Sequence, residues 1–227
     1  MQSIKKSGRI LGLLFLASVI TGGAGTALRG LAGAESNTTA FLSSVVESMS
    51  QMKLAINLDM LGSAIGVIIG IFLLPIIRKH SLRMASAYIA IACINFTIIT
   101  VSNIIHVALL SVSAGFDLTS VSDTLHFTTL AQMLYDTYYW THFLMLLLYS
   151  IGGAVLFYFL FKTQLVPRWL AVWGLLASAI VFLGGALQLA EIKVSFLLFA
   201  QNGIFMLTFI GWLLVMGFRP MDFKELK

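Results

Sequence analysis

The sequence predicts an all-α fold: a polytopic membrane bundle of six transmembrane helices, both termini cytoplasmic, with one or two short amphipathic helices on the outer side. Three observations predict it. Of 227 residues, 59% are hydrophobic and only 10% charged, with a mean hydropathy of +0.97, whereas soluble domains carry roughly 45–50% apolar and about 25% charged residues. Too few polar side chains are present to cover a water-facing surface, so lipid is the solvent for most of it. Six apolar runs reach the length of about 20 residues that a spanning helix needs. The charges between those runs then alternate from side to side.

The spans lie at about 10–31, 55–77, 84–111, 137–161, 169–189 and 195–217, and the whole chain, 1–227, reads as one membrane domain. The first follows Lys5, Lys6 and Arg9 and ends rich in glycine at Gly22, Gly23, Gly25 and Gly30. With Ala32-Gly33-Ala34 behind it, residues 1–34 also fit a cleavable signal peptide. The apolar stretch 10–28 is longer than a usual signal core, and the glycines suit a packed helix, so it is counted as a span.

Between the first two spans, 39–53 repeats Phe41, Val45 and Met49 at every fourth residue, with Leu42 and Val46 beside them. Ser43, Ser44, Glu47, Ser48 and Gln51 fall opposite, the pattern of a short amphipathic helix, with Thr38 or Thr39 as its N-cap. The second span carries Gly62, Gly66 and Gly70 as a packing face. Asp59 projects within about 40° of that face, into the bundle.

The third span has a polar stripe of Asn95, Ser102 and His106, with Asn103 beside it. Segment 117–132 places Leu118, Val121 and Leu125 on one side and predicts a second short outer helix. The fourth span gathers Tyr135, Tyr138, His142 and Tyr149 on one face, with Tyr139 next to it. Gln188 and Glu191 end the fifth span, and Gln201 and Asn202 lie near the outer end of the sixth.

A cytoplasmic N-terminus puts Lys5, Lys6, Arg9, Arg78, Lys79, Arg83, Lys162, Arg168, Arg219, Lys224 and Lys227 inside, and only Arg29, Lys53 and Lys193 outside. That is the positive-inside distribution. It accounts for the net charge of +5 without an anionic partner. The basic residues form no patch for nucleic acid. One cysteine, Cys93, allows no internal disulfide and no cysteine-rich metal site.

The polar groups share one depth, the outer third of the membrane. An ionisable group there is costly and needs a partner; for Asp59 the nearest candidate is Arg29. Arg29, Asp59, Asn103, His106, Tyr138, His142, Gln188 and Asn202 are therefore the candidate lining of an outward-facing polar pocket. The expected partners are membrane lipid or a small amphiphile, with no cofactor, and a homo-oligomer is left open. The plainer alternative is a bundle held by scattered interhelical hydrogen bonds, acting as a structural or regulatory subunit. A zinc-dependent intramembrane hydrolase would use His106, His142 and Asp59, and a haem protein His106 and His142; neither has a supporting motif.

The layout resembles the bacterial family known as domain of unknown function 4386. Arg9-Ile10-Leu11-Gly12-Leu13-Leu14 opens the first span and Tyr135-Asp136 the fourth, and Phe157-Tyr158-Phe159-Leu160-Phe161-Lys162 leads to Leu165-Val166-Pro167-Arg168-Trp169-Leu170. Where this chain has Tyr135-Asp136 the family often has His-Asp, which puts any catalytic role for the pair in doubt. The resemblance implies a six-helix protein of the bacterial inner membrane with no established activity, and it supplies no catalytic residues.

Overall fold

The computed structural model describes residues 2–30, 37–117, 124–195 and 197–220. Its described residues form seven helices: α1 (Gln2–Arg29), α2 (Thr39–Glu47), α3 (Met49–Arg78), α4 (Leu82–Asp117), α5 (Thr124–Thr163), α6 (Arg168–Leu189) and α7 (Leu197–Met216). All but α2 are long and apolar enough to cross a membrane. The chain is an all-α, multi-pass membrane protein.

The six long helices close into a ring. Each packs on the next in sequence, α1 on α3, α3 on α4, and so on to α7, which returns to α1. Both chain ends therefore meet at one end of the bundle, where Arg9 Nη2 donates to the Val215 carbonyl at 3.0 Å and the Arg219 amide donates to the Leu165 carbonyl at 2.8 Å. Arg78, Arg83, Lys162 and Arg168 sit at helix ends on this same side, which we call the basic end. The opposite end carries α2.

Phenylalanines fill the ring toward its basic end. The Phe157 ring meets those of Phe205 and Phe209 at 4.9 and 5.2 Å, and Phe15 packs on Phe209 at 5.7 Å. Gly174 makes room for them: a Cβ there would lie 2.5 Å from Phe157 and 2.7 Å from Phe205. A second, smaller core of Phe41, Leu42, Val45, Met52, Leu109, Leu110 and Ala131 joins α2 to the far ends of α3, α4 and α5.

At this end the helix boundaries correct two sequence expectations. Segment 117–132 is not a separate helix: from Thr124 it is the first part of α5, 40 residues long, and residues 118–123 lie outside the described set. No Gly or Pro interrupts 124–136, so the helix runs on past the hydrocarbon. The amphipathic helix at 39–53 breaks at Ser48, so Met49 opens α3 rather than ending α2. Thr38 is the N-cap, accepting from the Phe41 amide at 3.2 Å.

The glycine face of α3 packs as expected at Gly62 and Gly70, but on two different neighbours. A Cβ at Gly62 would lie 2.8 Å from Thr21 Oγ1 on α1, and one at Gly70 would lie 2.9 Å from Ile89 on α4, whereas nothing lies within 4 Å at Gly66. A residue spacing of four drifts around the helix by about 40° each step, so the row crosses from one neighbour to the next.

Candidate functional site

Close approach of α1 and α3 positions the site. The Ser18 hydroxyl donates to the Gly62 carbonyl at 3.3 Å, and a Cβ on Gly25 would lie 3.1 Å from the Ala55 carbonyl oxygen. With the two backbones this near, Arg29 in the last turn of α1 reaches across to Asp59. Its Nη2 donates to Asp59 Oδ2 at 2.8 Å, in an ion pair whose side chains are 6% and 22% exposed. A purely apolar neighbourhood would make two such charges prohibitive, and each polar atom needs further partners.

Most of them come from α4 and α5. Arg29 Nη2 also donates to Asn103 Oδ1 at 2.5 Å, and Asn103 Nδ2 donates to Asp59 Oδ2 at 3.3 Å, closing a triangle. Arg29 Nη1 donates to the Tyr138 hydroxyl at 3.0 Å, and the guanidinium lies 5.3 Å from the centre of the same ring. Arg29 Nε is buried without a partner. The His106 ring lies 5.2 Å from Tyr138, fully buried, and neither of its nitrogens has a hydrogen-bond partner.

Two openings adjoin this network. A small cavity of about 40 Å³ is lined by Thr26, Arg29, Asp59, Ile99, Ser102, Tyr138, Thr141, His142 and Met145. It has room for a few water molecules and not for a ligand. An open cleft of about 370 Å³ lies at the α2 end, walled by Ala27, Leu28, Arg29 and Gly30 on one side and Phe41, Ser44, Ser48, Gln51 and Met52 on the other. That volume falls within the ordinary range for small-molecule sites, roughly 300–1,000 Å³. Arg29 is the one side chain that lines both.

Of the eight residues proposed from sequence, the structure brings Arg29, Asp59, Asn103, Tyr138, His106 and His142 together. Gln188 and Asn202 stand apart. Gln188 lies in the last turn of α6, and Asn202 of α7 bonds to Tyr149 of α5. Tyr135 packs against Phe41 at 5.8 Å, in the second core rather than in the network.

The sequence reading overlooked Thr26 and Thr141, and read the cleft residues Phe41, Ser44, Ser48 and Gln51 only as faces of an amphipathic helix. Thr141 was open to discovery: Tyr138, Thr141, His142 and Met145 follow the i, i+3, i+4, i+7 spacing of one helix face. Among the described residues, no three histidine, cysteine or acidic side chains gather closely enough to hold a metal ion. His106, His142 and Asp59 are not drawn together as such a group.

Comparison with known proteins gives one match. The model of a family described as "Domain of unknown function (DUF4386)" covers residues 10–217. No curated protein and no solved structure matches.

Proposed function

The chain belongs to the domain of unknown function 4386 family, an integral membrane family without an assigned activity, and from that premise we propose that it binds a lipid or small amphiphile in the cleft at its α2 end. Arg29 carries the reading: it forms a wall of the open cleft and is held from below by a buried network drawn from three other helices. A guanidinium fixed in this way presents a pre-organised polar floor to a headgroup. Phe41, Met52 and Leu28 offer apolar contact for a short tail, while Ser44, Ser48 and Gln51 offer hydrogen bonds.

Binding is favoured over transport. The phenylalanine cluster occupies the ring below the network, and the spans are unbroken helices apart from Pro75, in the last turn of α3. In the membrane, the basic end would face the cytoplasm and the α2 end the outside, because the described lysines and arginines concentrate at the basic end. The cytoplasmic membrane of a bacterium is the location this implies.

Native mass spectrometry of protein extracted in mild detergent and offered lysophospholipids and fatty acids tests the proposal. A retained amphiphile is expected, and Ser48→Phe, which fills the cleft at an incompletely buried position, is expected to abolish it while leaving the thermal melt unchanged. Bare protein under all conditions, or full retention by Ser48→Phe, would overturn it.

A further inference from the structure

The seam between α6 and α7 at the basic end is separate from the cleft. Its chemistry is set by three tryptophans. Trp169 opens α6 and is 55% exposed; its ring lies 6.5 Å from Trp212 on α7 and 6.4 Å from Trp173 one turn deeper. Trp212 Nε1 is buried and has no hydrogen-bond partner. An indole N–H in that state needs an acceptor.

Three cations lie at this end of the bundle, one of them over a tryptophan ring. The Arg219 amide is tied to the Leu165 carbonyl in the α5–α6 turn, whose flanking helix ends carry Lys162 and Arg168. The Arg219 guanidinium lies 5.5 Å from the centre of the Trp212 ring. Lys162, Arg168 and Arg219 are all exposed, and no acidic residue among the described residues lies at this end of the bundle. The patch combines fixed positive charge, indole N–H donors and aromatic surface at the level where helices leave the membrane.

We propose that this seam is a binding site for an anionic phospholipid, whose phosphate is held by Arg168 and Arg219 and whose chains lie along the exposed apolar surface of α6 and α7. A water-soluble anion would use the charges but not the tryptophans. A zwitterionic lipid would use the tryptophans but place its own cation against the arginines. Only an anionic lipid uses both, and basic sites between helices on the cytoplasmic side commonly take such headgroups.

Tryptophan quenching by brominated lipid provides the test, in the Trp140→Phe background, because the remaining three tryptophans all belong to the seam. The protein is reconstituted in phosphatidylcholine vesicles containing a minor fraction of dibrominated phosphatidylglycerol or, separately, the same fraction of dibrominated phosphatidylcholine. Stronger quenching by the anionic lipid is expected. Arg168→Gln with Arg219→Gln is expected to weaken its apparent affinity roughly tenfold or more.

Arg78→Gln with Arg83→Gln removes the same charge at α3 and α4, across the ring from the seam, and is expected to leave the preference intact. Equal quenching by the two lipids, or equal loss in both charge pairs, would overturn the proposal. So would reversal of the anionic preference by soluble glycerol phosphate. High salt provides a readout that needs no arginine substitution: it should erase the preference, and a preference unaffected by salt would also overturn the proposal.

Discussion

Asp59 could be paired with Arg29 from the sequence alone, because a carboxylate placed inside a membrane bundle demands a cation and few were available on the same side. The structure adds what depth along the helix does not reveal, the direction around the ring. Gln188 and Asn202 were grouped with the network by their expected depth, but they line neither opening and make none of the network's bonds. Replacing one charge should be far worse than replacing both. Asp59→Leu leaves the Arg29 guanidinium buried and unneutralised, and is expected to cost roughly 3–5 kcal/mol. Arg29→Met combined with Asp59→Leu should recover most of that, as read by thermal melts in detergent. A double variant no more stable than Asp59→Leu would show that the pair does not act as a unit. His106 behaves oppositely. Both its nitrogens are buried without partners, so His106→Phe, which keeps a ring against Tyr138, is expected to be neutral or to stabilise by about 1–3 kcal/mol.

Helix existence was legible at the scale of the element, whereas helix ends were not. Hydropathy reports where hydrocarbon begins, and α4 and α5 continue as helices well beyond it, where polar side chains are tolerated and nothing in 124–136 breaks the chain. The Ser48 break was equally hidden, since the apolar period of α2 passes through it into Met49 and Met52. Glycine spacing also said less than it promised. Gly62 meets α1 and Gly70 meets α4, while Gly66 meets nothing within 4 Å. Gly62→Leu should force α1 from α3 and destabilise by about 1–3 kcal/mol, and Gly66→Leu should change stability by less than about 0.5 kcal/mol. Parallel melts of the two variants check this, and similar losses in both would contradict the assigned packing.

For the whole molecule, the number of spans and the segregation of basic residues followed from composition and charge. Ring closure did not, because the meeting of α1 with α7 depends on packing between the first and last helices and leaves no local mark. Orientation is open to direct measurement. In a Cys93→Ala background, Gln51→Cys at the α2 end should react with a membrane-impermeant maleimide on intact cells, and Gln164→Cys at the basic end only after permeabilisation. Both positions are exposed. The reverse pattern would invert the protein and turn the cleft toward the cytoplasm.

The buried network also carries an order in time. Arg29 emerges first, and its partners follow along the chain as Asp59, then Asn103, then Tyr138. The charge-neutralising partner therefore arrives first, in the very next span, and the neutral hydrogen-bonding partners complete the set afterwards. Ring closure waits for α7. At a synthesis rate of about 5–20 residues per second, α1 spends roughly 10–40 seconds with its α7-facing side open to lipid. For most of that interval, once α3 is made, Arg29 is already neutralised by Asp59, so the chain does not hold that charge unpaired in the bilayer while the remaining four spans are added.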